Sequence, residues 1–159
     1  MLCKIDHYLK ILYRLSGYIA AIFLILVATF ILTGIASRIF GFYIRGLAEY
    51  SGYSMAASSF LALAYTFGEK GHIRITLFLE KANKEVRRFL DLWCLSIATF
   101  FSGFLSFYFI KMLIISIQFG ERSEGADEIY IWIPQVAVAL GSTIFFVCVL
   151  HNFILLILD

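Results

Sequence analysis

The sequence predicts an all-α integral membrane protein with four transmembrane helices. Of its 159 residues, 62% are hydrophobic and only 15% are charged, whereas a soluble domain has about 45–50% apolar and about 25% charged residues. Four apolar runs are long enough to cross the hydrocarbon core of a bilayer. None of them shows the period-two alternation of a barrel strand. The runs leave little chain for a soluble domain, so we expect one membrane domain over residues 1–159.

The predicted spans cover about residues 15–37, 50–67, 92–119 and 133–158. The first run is too long for the h-region of a cleavable signal peptide, and no A-x-A-like cleavage site follows it. The third run would measure about 42 Å as a straight helix, so it must tilt or protrude from a core about 30 Å thick. Before the first span, apolar residues recur at helical spacing between basic ones. This tail is either an amphipathic lead-in at the inner headgroups or the cytoplasmic end of the first helix.

The distribution of Lys and Arg predicts the orientation of the chain. The N-terminal tail and the second loop together hold nine basic residues, whereas the first and third loops hold three. Lys and Arg in short loops favour the cytoplasmic side, and acidic residues contribute little. We therefore expect both termini in the cytoplasm and the first and third loops outside.

The second predicted span is rich in small residues. At helical spacing Gly52, Ala56 and Ser59 fall on one face, and small residues allow membrane helices to approach closely. Glu49 opens this helix, where the helix macrodipole favours a carboxylate. Alternatively, Glu49 forms an ion pair with a cation at the outer rim, and the candidates are Arg38, Arg45 and Lys111.

The second loop is the one long polar segment in the sequence. Gly68 and Gly71 predict a helix stop and a turn. From Ile75 to Val86 the apolar residues follow helical spacing, which predicts a short amphipathic helix lying in the inner interface.

Acidic residues dominate the third loop, which ends at Tyr130 and Trp132, residues typical of a membrane interface. Pro134 suits the first turn of the last helix, where its missing N–H is harmless. Ala137 and Gly141 form a further small-residue pair in that helix. Lys111 lies near the outer boundary of the third span, so its amine can reach the interface.

No reaction centre is evident in the sequence. It contains no Gly-rich phosphate loop, no H-E-x-x-H and no G-x-S-x-G, and no predicted span carries a charge at its centre. Cys3, Cys94 and Cys148 lie too far apart for a C-x-x-C pair, and of the three histidines only His151 lies within a span. We therefore expect no enzyme, no metal, no cofactor and no nucleic-acid partner.

Three motifs resemble one family, the small Q-type (DctQ-like) membrane subunit of tripartite ATP-independent periplasmic (TRAP) transporters. The first is the acid Glu49 at the start of the second helix. The second is Gly68–Ile75, which is similar to the family's G-G-H-I-R-V stretch but has two residues between the glycines. The third is Ile131–Gln135, the entry to the last helix. The similarity covers nearly the whole chain.

The resemblance implies a partner rather than a transporter working alone. In such systems a large membrane subunit binds the substrate and sodium, and a periplasmic protein captures an organic acid such as a C4-dicarboxylate or sialic acid. The small subunit, in the bacterial inner membrane, braces the large one and helps to dock the binding protein. We expect contacts with the large subunit or with phospholipid at Glu49, Gly52, Ala56, Ser59, Gly71, His72, Arg74, Lys111, Ala137 and Gly141. We expect docking at Arg45, Glu121, Glu124, Asp127 and Glu128.

Two other function classes stay open at this stage. One is a haem- or quinone-linked membrane anchor subunit of an oxidoreductase. The other is a small homodimeric exporter, which would normally place an acidic residue deep in a span.

Overall fold

The computed structural model describes residues 2–68, 84–123 and 128–158. These ranges contain four helices: α1 (Leu2–Ile39), α2 (Leu47–Gly68), α3 (Lys84–Phe119) and α4 (Trp132–Leu158). The only β pairing within them is an isolated bridge between Arg122 and Tyr130. The all-α prediction is confirmed.

Three helical segments are long and apolar enough to cross a membrane: Tyr8–Ile39, Arg88–Phe119 and Trp132–Leu158. α2 is absent from this set because four serines, three tyrosines and two glycines lower its hydropathy. Its 22 residues nevertheless give a length of about 33 Å, enough for a crossing. The fourth crossing and the orientation of the termini stay predictions.

Two helices, α1 and α3, begin well before their predicted spans. α1 begins at Leu2 and runs without interruption to Ile39, so the N-terminal tail continues the first helix. α3 begins at Lys84, so the last residues of the predicted interfacial helix belong to α3. The rest of that predicted helix lies outside the described residues.

The four helices pack as a row rather than around a central channel. α2 packs against α1 on one side and α4 on the other, and α3 packs against α4; α1 and α4 touch only marginally. α1 and α3 therefore lie at the two ends of the row. Both expose large apolar side chains along most of their length, including Ile25 and Leu32 on α1 and Phe100 and Phe104 on α3. In a bilayer such faces contact lipid or another membrane protein.

The core of the row is thin and consists mainly of small residues. Ala57 and Ala64 of α2 and Ala139, Cys148 and Val149 of α4 are buried. Among the described side chains, the buried polar residues are all serines. A serine hydroxyl can bond to a backbone carbonyl, as Ser16, Ser58 and Ser142 do here, so these residues are buried without an unmet hydrogen bond. Small residues thus allow the close helix packing that membrane proteins favour.

Candidate functional site

α2 and α4 approach each other closely at Gly141. A Cβ built on Gly141 would lie 2.8 Å from the carbonyl carbon of Phe60 and 2.9 Å from the backbone nitrogen of Leu61. Real Cβ atoms do not come this close to a backbone, so only glycine fits here. About two turns of α4 nearer its C-terminus, the Cys148 thiol lies 3.6 Å from the carbonyl oxygen of Ala64. The two central helices are therefore tightly packed where Phe60–Ala64 of α2 lie against Gly141–Cys148 of α4.

A second close approach joins α3 to α4. A Cβ on Gly103 would lie 2.9 Å from a ring carbon of Phe146. Nearby, the hydroxyls of Ser106 and Thr143 are 3.1 Å apart. Hydrogen bonds of this kind hold membrane helices together, each with a modest free energy of about 0.6 kcal/mol on average.

At the N-terminal end of α2, a hydrogen-bonded cluster links this helix to the loop before α4. The Ser123 hydroxyl donates to a carboxylate oxygen of Glu49 at 3.1 Å and lies 3.0 Å from the Tyr53 hydroxyl. Glu49 lies in the first turn of α2, where the helix dipole also favours its charge. The cluster fixes the third loop to the start of α2, although the two segments are more than 70 residues apart in the chain.

Backbone hydrogen bonds join the two described parts of the third loop, residues 120–123 and 128–131. The Ser123 amide donates to the Ile129 carbonyl at 2.7 Å, and the Ile131 amide donates to the Glu121 carbonyl at 3.1 Å. The Arg122 guanidinium donates to the Tyr130 hydroxyl at 3.2 Å and lies 5.0 Å from the centre of the Tyr130 ring. Hydrogen bonds thus hold the described part of this loop together and to α2, and its charged side chains lie on the outside.

The charged residues of this loop differ in their surroundings. Glu121 accepts a hydrogen bond from the buried Ser116 hydroxyl at 2.8 Å. Glu128 is exposed and lies 3.6 Å from Arg122 in an ion pair whose two side chains are 73% and 55% exposed. An exposed pair of this kind contributes little stability. Glu128 is therefore accessible to another molecule, whereas Glu121 is hydrogen-bonded to the last turn of α3.

An apolar cavity of about 200 Å³ lies just below this loop, between α2, α3 and α4. Its walls include Tyr53, Phe109, Pro134 and Gln135. The Gln135 side-chain oxygen is buried and has no hydrogen-bond partner among the described residues. This places the Ile131–Gln135 motif at the junction of three helices.

The predicted small-residue face of α2 is not the face that packs within this chain. The buried residues of α2 are Ser54, Ala57, Ser58, Leu61 and Ala64. Gly52 and Ser59 are exposed and Ala56 is half-buried, and a Cβ on Gly52 would meet nothing within 4 Å. Small residues occur all around α2, so the sequence alone did not distinguish the inner face from the outer one.

The remaining predicted site residues fall into three groups. Arg45 and Lys111 are exposed, and Ala137 is half-buried on α4. Gly71, His72 and Arg74 lie outside the described residues, as do Glu124 and Asp127. Among the predicted site residues that the structure describes, Glu49 is brought to the third loop and Gly141 to α2.

Sequence reasoning missed Ser123 and Tyr53, the residues that connect Glu49 to the third loop. A serine in a polar loop and a tyrosine near a membrane interface are both common, so no local signal marks them. Gly103 was also missed, although a glycine in the middle of an apolar helix is a signal for close packing.

Comparison with known proteins gives one match. The family model described as "Tripartite ATP-independent periplasmic transporters, DctQ component" matches residues 26–159. Searches of curated proteins and of solved structures gave no match. The family match covers α2, α3, α4 and the last part of α1, and the motifs at Glu49, Gly68–Ile75 and Ile131–Gln135 lie within the matched residues. The chain therefore belongs to the DctQ component family of tripartite ATP-independent periplasmic transporters.

Proposed function

We propose that the chain is the non-transporting small subunit of a sodium-driven TRAP transporter for organic acids of the C4-dicarboxylate or sialic acid type. In this proposal it spans the bacterial inner membrane four times with both termini in the cytoplasm. It braces the large membrane subunit, which carries the substrate and sodium sites, and helps to dock the periplasmic binding protein. The observation that carries the proposal is the family match over residues 26–159.

The bracing role is supported by the shape of the row. A protein that moves a solute by itself needs a polar path, and ionisable residues on such paths face a bundle interior or a water-filled cavity. Among the described residues here, the buried polar side chains are all serines. Meanwhile α1 and α3 expose apolar faces at the two ends of the row. Broad outer faces and a tightly packed interior suit a rigid wall for another membrane subunit.

The docking role is supported by the anchored third loop. Hydrogen bonds from Ser123 hold it to α2, and Glu128 is exposed on its surface. Exposed charges steer a diffusing partner and raise its association rate, and salt weakens this effect. Arg45 of the first loop is also exposed and adds a charge of the opposite sign.

Reconstituted uptake tests the whole proposal. Liposomes would contain the large subunit with this chain, the large subunit alone, or this chain alone. Each would receive the binding protein and an inwardly directed sodium gradient. We expect uptake of labelled organic acid only when both membrane subunits are present, and loss of uptake when sodium is replaced by potassium. Uptake by this chain alone would contradict the proposal, and so would full uptake without it.

The family match favours a transport component over the oxidoreductase anchor considered from the sequence. Absorbance in the Soret region by the purified chain would reverse that preference. The homodimeric exporter is tested by the liposomes that contain this chain alone.

A further inference from the structure

A polar pocket of about 390 Å³ lies between the first half of α1 and the last turns of α2. Arg14, Gly17 and Tyr18 of α1 and Tyr65 of α2 line it. It differs from the cavity below the third loop, whose walls are mostly apolar.

Gly17 creates the shape of this pocket. A Cβ on Gly17 would lie 2.7 Å from Cγ of Tyr65, so the absence of a side chain lets the Tyr65 ring lie directly against α1. Arg14 and Tyr18 are four residues apart on a helix and therefore share a face, one above the other. Arg14, Tyr18 and Tyr65 thus line one pocket.

The surroundings of the pocket indicate what can occupy it. Tyr18, Ile22 and Ile25 follow one another on the same side of α1 at spacings of three and four residues. Ile22 is 58% exposed and Ile25 is 66% exposed. Ile22 and Ile25, like the pocket residues Arg14–Tyr18 before them, lie in the apolar segment Tyr8–Ile39 that is long enough to cross a membrane. The pocket therefore lies where a polar headgroup meets an apolar strip on the protein surface.

We propose that this pocket binds the phosphate group of a membrane glycerophospholipid, with its acyl chains lying along Ile22 and Ile25. A guanidinium presents planar, forked N–H donors that match phosphate geometry and holds it by charge-assisted hydrogen bonds. Tyrosine rings are typical of the headgroup level, where one end is apolar and the other is polar. The apolar strip favours a lipid over a soluble phosphate, because a soluble anion gains nothing from Ile22 and Ile25.

This proposal does not depend on the proposed transport function. Under the predicted topology the pocket faces the inner leaflet, where anionic lipids also attract the basic tail. Whichever leaflet it faces, the pocket binds a phosphate at the end of the apolar segment.

Native mass spectrometry of the full chain in detergent, titrated with phosphatidylglycerol, tests the proposal. We expect Arg14→Gln to weaken lipid binding at least about tenfold, because it removes charge-assisted hydrogen bonds. Arg14→Lys keeps the charge but loses the planar fork, so its lipid affinity should lie between those of the unmodified chain and Arg14→Gln. The matched control is Arg38→Gln, which removes the same charge at the other end of α1 and should leave binding unchanged.

Two results would overturn the proposal. One is an equal loss of bound lipid in Arg14→Gln and Arg38→Gln, since lipid binding would then depend on the net charge of the chain and not on this pocket. The other is displacement of the lipid by millimolar glycerol phosphate or inorganic phosphate, since the site would then bind soluble phosphates. A size-exclusion profile identical to that of the unmodified chain establishes that a variant is folded. If Arg14→Gln does not fold, the comparison of Arg14→Lys with the unmodified chain provides the test.

Discussion

Gly141 of α4 lies directly against the backbone of Phe60 in α2, so that even a Cβ would come within 2.8 Å of the Phe60 carbonyl carbon. α2 packs against α1 on its other side, so this contact joins the two halves of the helix row. A change at Gly141 therefore acts on the relative position of α1–α2 and α3–α4.

Gly141→Val should destabilise the isolated chain because the added atoms meet backbone, which cannot rotate away. Overpacking of a well-packed interior costs about 1–3 kcal/mol, and we expect a lower apparent melting temperature in detergent. The matched control is Gly52→Val, since a Cβ on Gly52 meets nothing within 4 Å. Equal melting temperatures of the two variants would show that α2 and α4 are not in backbone contact.

Ser58→Ala should weaken the contact between α1 and α2. The Ser58 hydroxyl donates across the interface to the Ala20 carbonyl at 3.0 Å, and such bonds contribute about 0.6 kcal/mol on average in membrane proteins. The Ser59 hydroxyl instead donates to Met55 within its own helix, so Ser59→Ala should change nothing. Unfolding of both variants in mixed micelles with increasing dodecyl sulfate measures the difference; a larger effect at Ser59 would contradict the observed packing face.

Ser123→Ala should release the third loop from α2. It removes the hydroxyl that donates to Glu49 and contacts Tyr53, and a hydrogen bond to a charged group contributes about 1.5–3 kcal/mol. We expect at least about a tenfold faster hydrogen exchange at the Ser123 and Ile131 amides. Ser51→Ala, which removes a hydroxyl bonded only to Ala48 within α2, is the control. Unchanged exchange in Ser123→Ala would show that the loop holds itself without α2.

Cysteine labelling tests the predicted crossing by α2 and the orientation together. In a chain without its natural cysteines, Tyr43→Cys lies in the exposed first loop and Glu85→Cys lies in the first turn of α3. A membrane-impermeant maleimide applied to spheroplasts should label the first site but reach the second only after the membrane is permeabilised. Labelling of both sites from outside would mean that α2 does not cross, and the opposite pattern would invert the topology.

Glu128→Lys should weaken docking of the binding protein in the reconstituted transporter. The side chain is exposed on the third loop, and a reversed rim charge lowers the association rate mainly at low ionic strength. We expect a severalfold higher concentration of binding protein for half-maximal uptake at low salt and little difference at high salt. Glu85→Lys, in the first turn of α3 and therefore at the other end of this helix from the third loop, is the control. An equal response of both variants, or none, would remove the docking role of this loop.

The sequence by itself determined the membrane class, the helical content and the family of this chain. Each of these follows from local properties. Long apolar runs reveal membrane helices wherever they pack, and the motifs at Glu49 and Gly68–Ile75 are contiguous in the chain. The crossing by α2 was predicted from its charge-free run over residues 50–67, but its serines and tyrosines leave it outside the set of helices that are apolar enough to cross a membrane.

Only the tertiary structure decided which residues meet. Small residues of α2 point to all sides of the helix. The positions of α1 and α4 therefore determine that Ala57 and Ser58 are buried and that Gly52 and Ser59 are exposed. The bond between Ser123 and Glu49 joins residues 74 positions apart, and the pocket at Arg14 exists because Tyr65 fits against Gly17. Periodicity shows that a helix has faces; the neighbouring helices determine which face is buried.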